Sequence, residues 1–165
     1  MEINSLPANA AERELLKCCG SKQWAQQVVA ARPFNDLSEL IERSERIWWS
    51  LTPADWLEAF RSHPKIGEKK ATAVVAPEAQ HWSESEQAGT REAPADTTAA
   101  LAELNETYEK KFGYIFIVCA SGKSSEEMLR ILRERLPHDK DEELRIAAAE
   151  QAKITELRLR KLVAT

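Results

Sequence analysis

Apolar positions recur every three to four residues along most of the chain, the spacing of one face of a helix. Ala10 to Cys18 sets Leu15 and Leu16 on one face, and Gly20 ends the pattern. Ser21 then caps a segment carrying Trp24, Val28 and Val29, which stops before Arg32-Pro33. Leu37, Leu40, Ile41, Ile47, Trp48 and Leu51 form the next stripe. Thr52-Pro53-Ala54-Asp55 is a strong helix start, with a capping hydroxyl, a proline at the first helical position and an acid at the third. That helix runs through Trp56, Leu57 and Phe60 and is expected to end near Ser62, because Pro64 disfavours helical geometry at His63. Ser83-Glu84-Ser85-Glu86 reads as a capping box that opens another helix.

Leu101, Leu104, Tyr108 and Phe112 mark a further helix that begins near Thr97 or Thr98. Ser124 or Ser125 starts one through Met128, Leu129, Leu132 and Leu136, and Pro137 stops it. Asp139 with Glu142 starts the last, which carries Leu144, Ile146, Ile154, Leu157 and Leu162. The exception is Gly113 to Gly122, apolar, β-branched and bounded by glycine. Alone it reads as a buried strand, yet no partner strand is evident. It either crosses a helical core in extended form or its first part continues the preceding helix. The expected fold is therefore all-α: a single-domain helical bundle over residues 1–165, with one extended apolar segment near 113–121. The stretch Ala88 to Thr98 is expected to be a mobile loop.

Composition narrows the function classes. The chain has 165 residues and a formal net charge of -4, which argues against a nucleic-acid partner and leaves room for a small anionic ligand. Cys18, Cys19 and Cys119 show no CxxC spacing, so they read as reduced thiols rather than a zinc site. No HExxH or close His/Asp/Glu cluster is present, and no metal is expected. Met1-Glu2-Ile3-Asn4 has no basic leader region, no apolar run reaches membrane-spanning length, and the last residues carry no peroxisomal address. A cytoplasmic protein is the expectation.

Chemistry centres on His63, held at a helix-to-loop junction and able to exchange protons near neutral pH. A lone histidine is more often structural, and His81 and His138 read as loop residues. The group Ser83, Glu86 and Gln87 is either a solvated helix start or a helix N-terminus that gathers N–H groups for an anionic or carbonyl-rich ligand. Arg158 is either one of the Glu/Arg pairs of a surface helix or a fork for a carboxylate. Pro64 to Ala71 looks like the phosphate-binding hairpin of helix-hairpin-helix DNA modules, a reading that the acidic balance weakens. A non-catalytic helical interaction domain is the other rival.

Taken together, the segments resemble the 2-oxo-4-hydroxy-4-carboxy-5-ureidoimidazoline (OHCU) decarboxylases of urate breakdown. The markers are Arg32-Pro33-Phe34, then Ala59 to Gly67, then Ser83-x-x-Glu86-Gln87. Leu104-Asn105-x-x-Tyr108-x-x-x-Phe112-Gly113-Tyr114-x-Phe116 and Lys153-Ile154-x-x-Leu157-Arg158-Leu159 follow. Each is weak alone; their order and spacing are specific and cover nearly the whole chain. Lys65-Ile66-Gly67 and Gly122-Lys123 resemble the bacterial branch. The resemblance implies an all-helical, cofactor-free, commonly dimeric decarboxylase that turns OHCU into (S)-allantoin. It implies catalytic roles for His63, the proton donor, and Glu86. It implies substrate contacts at Pro64, Ser83, Glu84, Ser85, Glu86, Gln87, Phe116, Ile117, Val118, Cys119 and Ala120, and an association of Arg158 with the site. The partners it implies are an anionic ureidoimidazoline substrate and a second copy of the chain, with neither nucleic acid nor membrane.

Overall fold

The structure is a computed structural model that describes residues 1–66, 75–90 and 94–164. Among the described residues the architecture is all-helical, with eight α-helices and no strand. They are α1 (Ala8–Cys18), α2 (Lys22–Ala30), α3 (Leu37–Ser50), α4 (Pro53–Phe60), α5 (Pro77–Glu86), α6 (Ala95–Phe112), α7 (Ser125–Arg135) and α8 (Lys140–Ala164). No described helix is long and apolar enough to cross a membrane.

The chain divides into two compact units, Met1–Ala59 with Ala152–Thr165, and Phe60–Gln151. In the first unit α1 packs on α2 and α2 on α3. Leu15, Trp24, Ala25, Val28 and Leu40 are fully buried there, each large side chain contributing about 1.5–3 kcal/mol of burial. The Ser21 hydroxyl caps as the sequence pattern has it, accepting from Trp24 N–H at 3.2 Å, whereas at α4 the Thr52 hydroxyl donates to the Asp55 carboxylate at 2.9 Å. Arg32 has a structural task. Its guanidinium donates to the carbonyls of Ile3 (2.9 Å) and Leu6 (2.7 Å), while Asn4 and the Phe34 backbone bond reciprocally.

In the second unit α6 packs on α7 around Tyr108, Phe112, Phe116, Val118, Met128 and Leu132, with Ile66 in the same cluster. A buried ionic group completes this interior. Glu143 of α8 is fully buried and accepts from Arg135 Nε at 2.8 Å and from the Tyr108 hydroxyl, while His138 Nδ1 lies 3.1 Å from its other oxygen. Arg135 also stacks over the Phe116 ring, 4.6 Å from its centroid.

Three sequence expectations change, and one left open is decided. Ser83–Glu86 does not open a helix: α5 starts at Pro77 behind Ala76, with Glu78 in the first turn, so this stretch is the last turn of α5. The serine-x-x-glutamate spacing fits any helical turn, and the proline marks the true start. The helix α6 begins at Ala95 behind Pro94, which takes residues 95–98 out of the expected loop, and Ala88–Thr90 forms a single tight turn. His81 lies within α5 rather than in a loop. Finally, the apolar run does not continue α6. Gly113, with φ of +87°, ends that helix in the left-handed region that glycine favours. Residues 115–120 then run without helix or strand partner, as the extended alternative foresaw.

Candidate active site

Four segments of the second unit hold the expected site residues and their partners. α4 ends at Phe60, and the His63 N–H donates back to the Phe60 carbonyl at 3.2 Å, so the histidine closes a turn directly before Pro64. Both residues are buried, with His63 only 7% exposed. The His63 Nε2 lies 2.6 Å from Oε1 of Gln151, a fully buried residue of α8.

The last turn of α5 comes next. Ser83 and Glu86 are buried, whereas Glu84 is half-buried and Ser85 exposed, as expected where positions three apart share a helix face. Because this is a helix C-terminus, its free backbone groups are carbonyls, and the Ser83 carbonyl already accepts from Gln87 N–H at 3.1 Å. The N–H cradle expected for an anion is absent from this turn. Its side chains remain as the chemistry. The following turn sits close to the rest of the site, since a Cβ on Gly89 would fall 2.3 Å from the Lys123 carbonyl oxygen.

The segment 116–120 shows a one-sided pattern. The Ile117 carbonyl accepts from Arg135 Nη1 at 2.6 Å. The Cys119 N–H donates to Glu150 Oε1 at 3.0 Å, and its carbonyl accepts from Lys123 Nζ at 2.7 Å. These side-chain partners fall on odd-numbered residues, the alternation of an extended chain whose N–H and C=O at one residue share an edge. The opposite edge belongs to Phe116, Val118 and Ala120, where the Ala120 carbonyl accepts from the Lys123 N–H at 3.0 Å. Burial raises the Cys119 thiol pKa, opposed by the Ser121 backbone and the Lys123 charge and reinforced by the Glu150 and Glu86 carboxylates. The His63–Gln151 and Cys119–Glu150 contacts are thus connected through adjacent residues of α8, and the Glu86 carboxylate acts on the Cys119 thiol through its charge.

Arg158 belongs to the first unit, where it is 3% exposed, not on a surface helix face. Its Nη1 donates to the Lys17 carbonyl at 3.2 Å, and its charge acts on the Cys19 thiol, whose pKa burial nonetheless pushes up to about 12. All three cysteines are free and buried. The hairpin-like stretch extends beyond Ile66, outside the described residues; within it, Lys65 pairs with Glu109 at 2.8 Å. Sequence reasoning missed Glu150, Gln151, Arg135 and Glu143. The one available signal was polar residues at 143, 151, 155 and 158 in the helical register of α8, where an apolar stripe was sought.

The family model for OHCU decarboxylase matches residues 4–160. The chain belongs to the OHCU decarboxylase family. It is 41% identical to the uric acid degradation bifunctional protein TTL of Arabidopsis thaliana over 92% of its own length and 47% of that protein. With the bifunctional protein of a Bacillus strain it is 28% identical, over 86% of this chain and 28% of the other. The chain thus spans less than half the length of these two curated relatives. An OHCU decarboxylase of Amia calva is 31% identical, over 84% of this chain and 79% of that one. Among solved structures, a crystal structure of an OHCU decarboxylase in the presence of (S)-allantoin matches with a TM-score of 0.80. It is 41% identical over 93% of this chain and 99% of its own.

Proposed function

We propose that this chain decarboxylates OHCU to (S)-allantoin, with His63 as the proton-transfer residue. The observation that carries the reading is the buried His63 ring, 2.6 Å from the Gln151 amide oxygen, within a member of this family. Decarboxylation breaks the bond to the carboxylate and needs a destination for the electron pair. The substrate supplies one, a ring C=N beside the carbon that bears the carboxylate. The protein's tasks are then orientation, electrostatics and delivery of a proton to one face.

His63 delivers that proton, and Glu86 hydrogen-bonds the substrate or the imidazole. Ser83 and Gln87 hold the urea-like edges from the α5 side. The backbone of Phe116 and Val118 offers donors and acceptors to the same groups. Pro64 fixes the direction in which the ring leaves the backbone. The family resemblance implies an association of Arg158 with the site and a dimeric state, and the reading of the three cysteines as reduced thiols supports a cytoplasmic location.

The test follows OHCU, generated fresh from urate, by optical activity, because OHCU decays unaided and only chiral product reports the enzyme. His63→Gln is expected to abolish the enzymatic rate while the helical circular-dichroism spectrum is unchanged. Near-normal (S)-allantoin formation by that variant ends the assignment.

A further inference from the structure

We propose that Glu150 and Gln151 of α8 are the positioning pair of this centre. Gln151 dictates which nitrogen of His63 exchanges a proton, and Glu150 holds segment 116–120 in place. The catalytic half of the inference rests on the decarboxylase reading; the assignment of the ring nitrogens does not.

Successive residues of a helix leave it about 100° apart, so neighbours reach different surroundings. Gln151 reaches the ring that follows α4, with Oε1 2.6 Å from His63 Nε2. Glu150 reaches the segment that follows α6, with Oε1 3.0 Å from the Cys119 nitrogen. One turn of α8 therefore fixes both the proton carrier and the backbone beside it.

The chemistry of the first contact is directional. A carboxamide oxygen only accepts, so the ring nitrogen facing it carries a hydrogen. Nε2 is bonded in this way in both charge states of the imidazole. Nδ1 is then the nitrogen that loses and regains a proton. In turnover, the pair released with CO2 forms a C=C bond to the ureido-bearing carbon and the C=N pair moves to the ring nitrogen, which takes up a proton; the Nδ1 proton of the imidazolium then passes to the ureido-bearing carbon as the hydroxyl loses its proton and becomes the carbonyl, and the neutral Nε2–H ring is reprotonated by water. A neutral amide suits this task. A carboxylate in its place would stabilise the imidazolium and weaken it as an acid.

The Glu150 contact fixes a different property. Holding the Cys119 N–H and, with Lys123 and Arg135, the odd edge of the segment leaves the even edge in a set register. Loss of that hold affects binding rather than proton transfer.

The experiment uses the full chain in two arms. In the first, ¹⁵N-histidine NMR without substrate, above the ring's titration, reads the His63 tautomer, assigned by comparison with His63→Gln. The expected wild-type signal is Nε2–H with an unprotonated Nδ1, and Gln151→Leu is expected to mix the two tautomers. An Nδ1–H tautomer in the wild type overturns the proposal, and this result needs no variant to fold. In the second arm, Gln151→Leu is expected to lower kcat about 10- to 100-fold with little change in KM. Glu150→Ala is expected to raise KM about tenfold, and Glu150→Gln, which keeps an accepting oxygen, to restore it. An unchanged kcat in Gln151→Leu, or an unchanged KM in Glu150→Ala, overturns the corresponding half. If the wild type shows the Nε2–H ring but makes no chiral allantoin, the decarboxylase reading fails and the tautomer assignment stands.

Discussion

The interior of Met1–Ala59 with Ala152–Thr165 is carried by Leu15, Trp24, Val28, Leu40 and Trp48, with small hydroxyl residues and Arg158 among its buried polar groups. The interior of Phe60–Gln151 holds Arg135, Glu143, Gln151, His63, Glu86 and Asn105 beside its aromatic cluster. Both units are helical, and both bury large apolar side chains. They differ in what fills the remaining positions. Water-excluded charges and amides are costly unless partnered, so their concentration in one unit marks where the fold serves something besides its own stability. The connected group around His63 lies in that unit.

The largest expected effect breaks the contrast at its most expensive point. Glu143→Ala removes the acceptor shared by Arg135 and Tyr108 and leaves a buried guanidinium without its counter-charge. A loss of about 3–5 kcal/mol in urea denaturation is expected. Replacing both charges, as in Arg135→Met with Glu143→Leu, is expected to recover most of that loss. The double variant is nevertheless expected to bind substrate less well, because the Ile117 carbonyl loses its donor. Full stability with unchanged KM would show that the ionic group has no part in setting segment 116–120. The counterpart in the apolar unit is Leu15→Ala, expected to cost about 3 kcal/mol through lost burial and the cavity left behind. Its kinetic constants should not change.

Asn105 sharpens the comparison from the other side. It is 4% exposed in the row Leu101–Asn105–Tyr108 of α6, and neither amide atom has a hydrogen-bond partner. Asn105→Leu removes the desolvation penalty of an unpaired amide and is expected to raise stability by about 1–2 kcal/mol. A fall in the denaturation midpoint would mean that the amide is satisfied in solution, and the second unit would then contain no idle polar group at this position.

The same contrast explains what was legible in the sequence. Elements whose ends are written locally were readable. Ser21 before α2, Ser124 before α7 and Asp139 before α8 each accept from the backbone N–H three residues on, and before α4 the Asp55 carboxylate accepts from the Thr52 N–H and hydroxyl. The opening of α5 is misread because the serine-x-x-glutamate spacing fits any helical turn, while the true start lies at Ala76-Pro77. His63 and Glu86 stand out by residue type and context, and the family resemblance chooses among their readings and adds segment 116–120. Their supporting partners were not, because Gln151 stands 88 residues from His63 and Glu150 stands 31 from Cys119. Periodicity reports which face of a helix is apolar. It carries no information about a buried face made of glutamate, glutamine, threonine and arginine, which is what α8 presents at Glu143, Gln151, Thr155 and Arg158.

The smallest expected effect compares one chemical device in the two units. Ser21 and Ser124 both accept from the backbone N–H three residues on, at 3.2 and 3.1 Å. Ser21 is fully buried, so Ser21→Ala strands the Trp24 N–H where water does not replace the lost oxygen, and about 1–2 kcal/mol is expected. Ser124 is half-buried and its bond is exposed, so water takes over the Glu127 N–H and Ser124→Ala is expected to cost about 0.5 kcal/mol. The two variants are also expected to separate in kinetics. Ser21 caps a helix of the apolar unit, whereas Ser124 anchors the turn that leads out of residues 116–120, where Lys123 holds the Cys119 carbonyl and its own carbonyl crowds Gly89. A rise in KM for Ser124→Ala larger than its stability loss, with none for Ser21→Ala, would tie that turn to substrate binding. Equal and unchanged KM values would reduce both serines to helix caps and confine the functional polarity of the second unit to its buried groups.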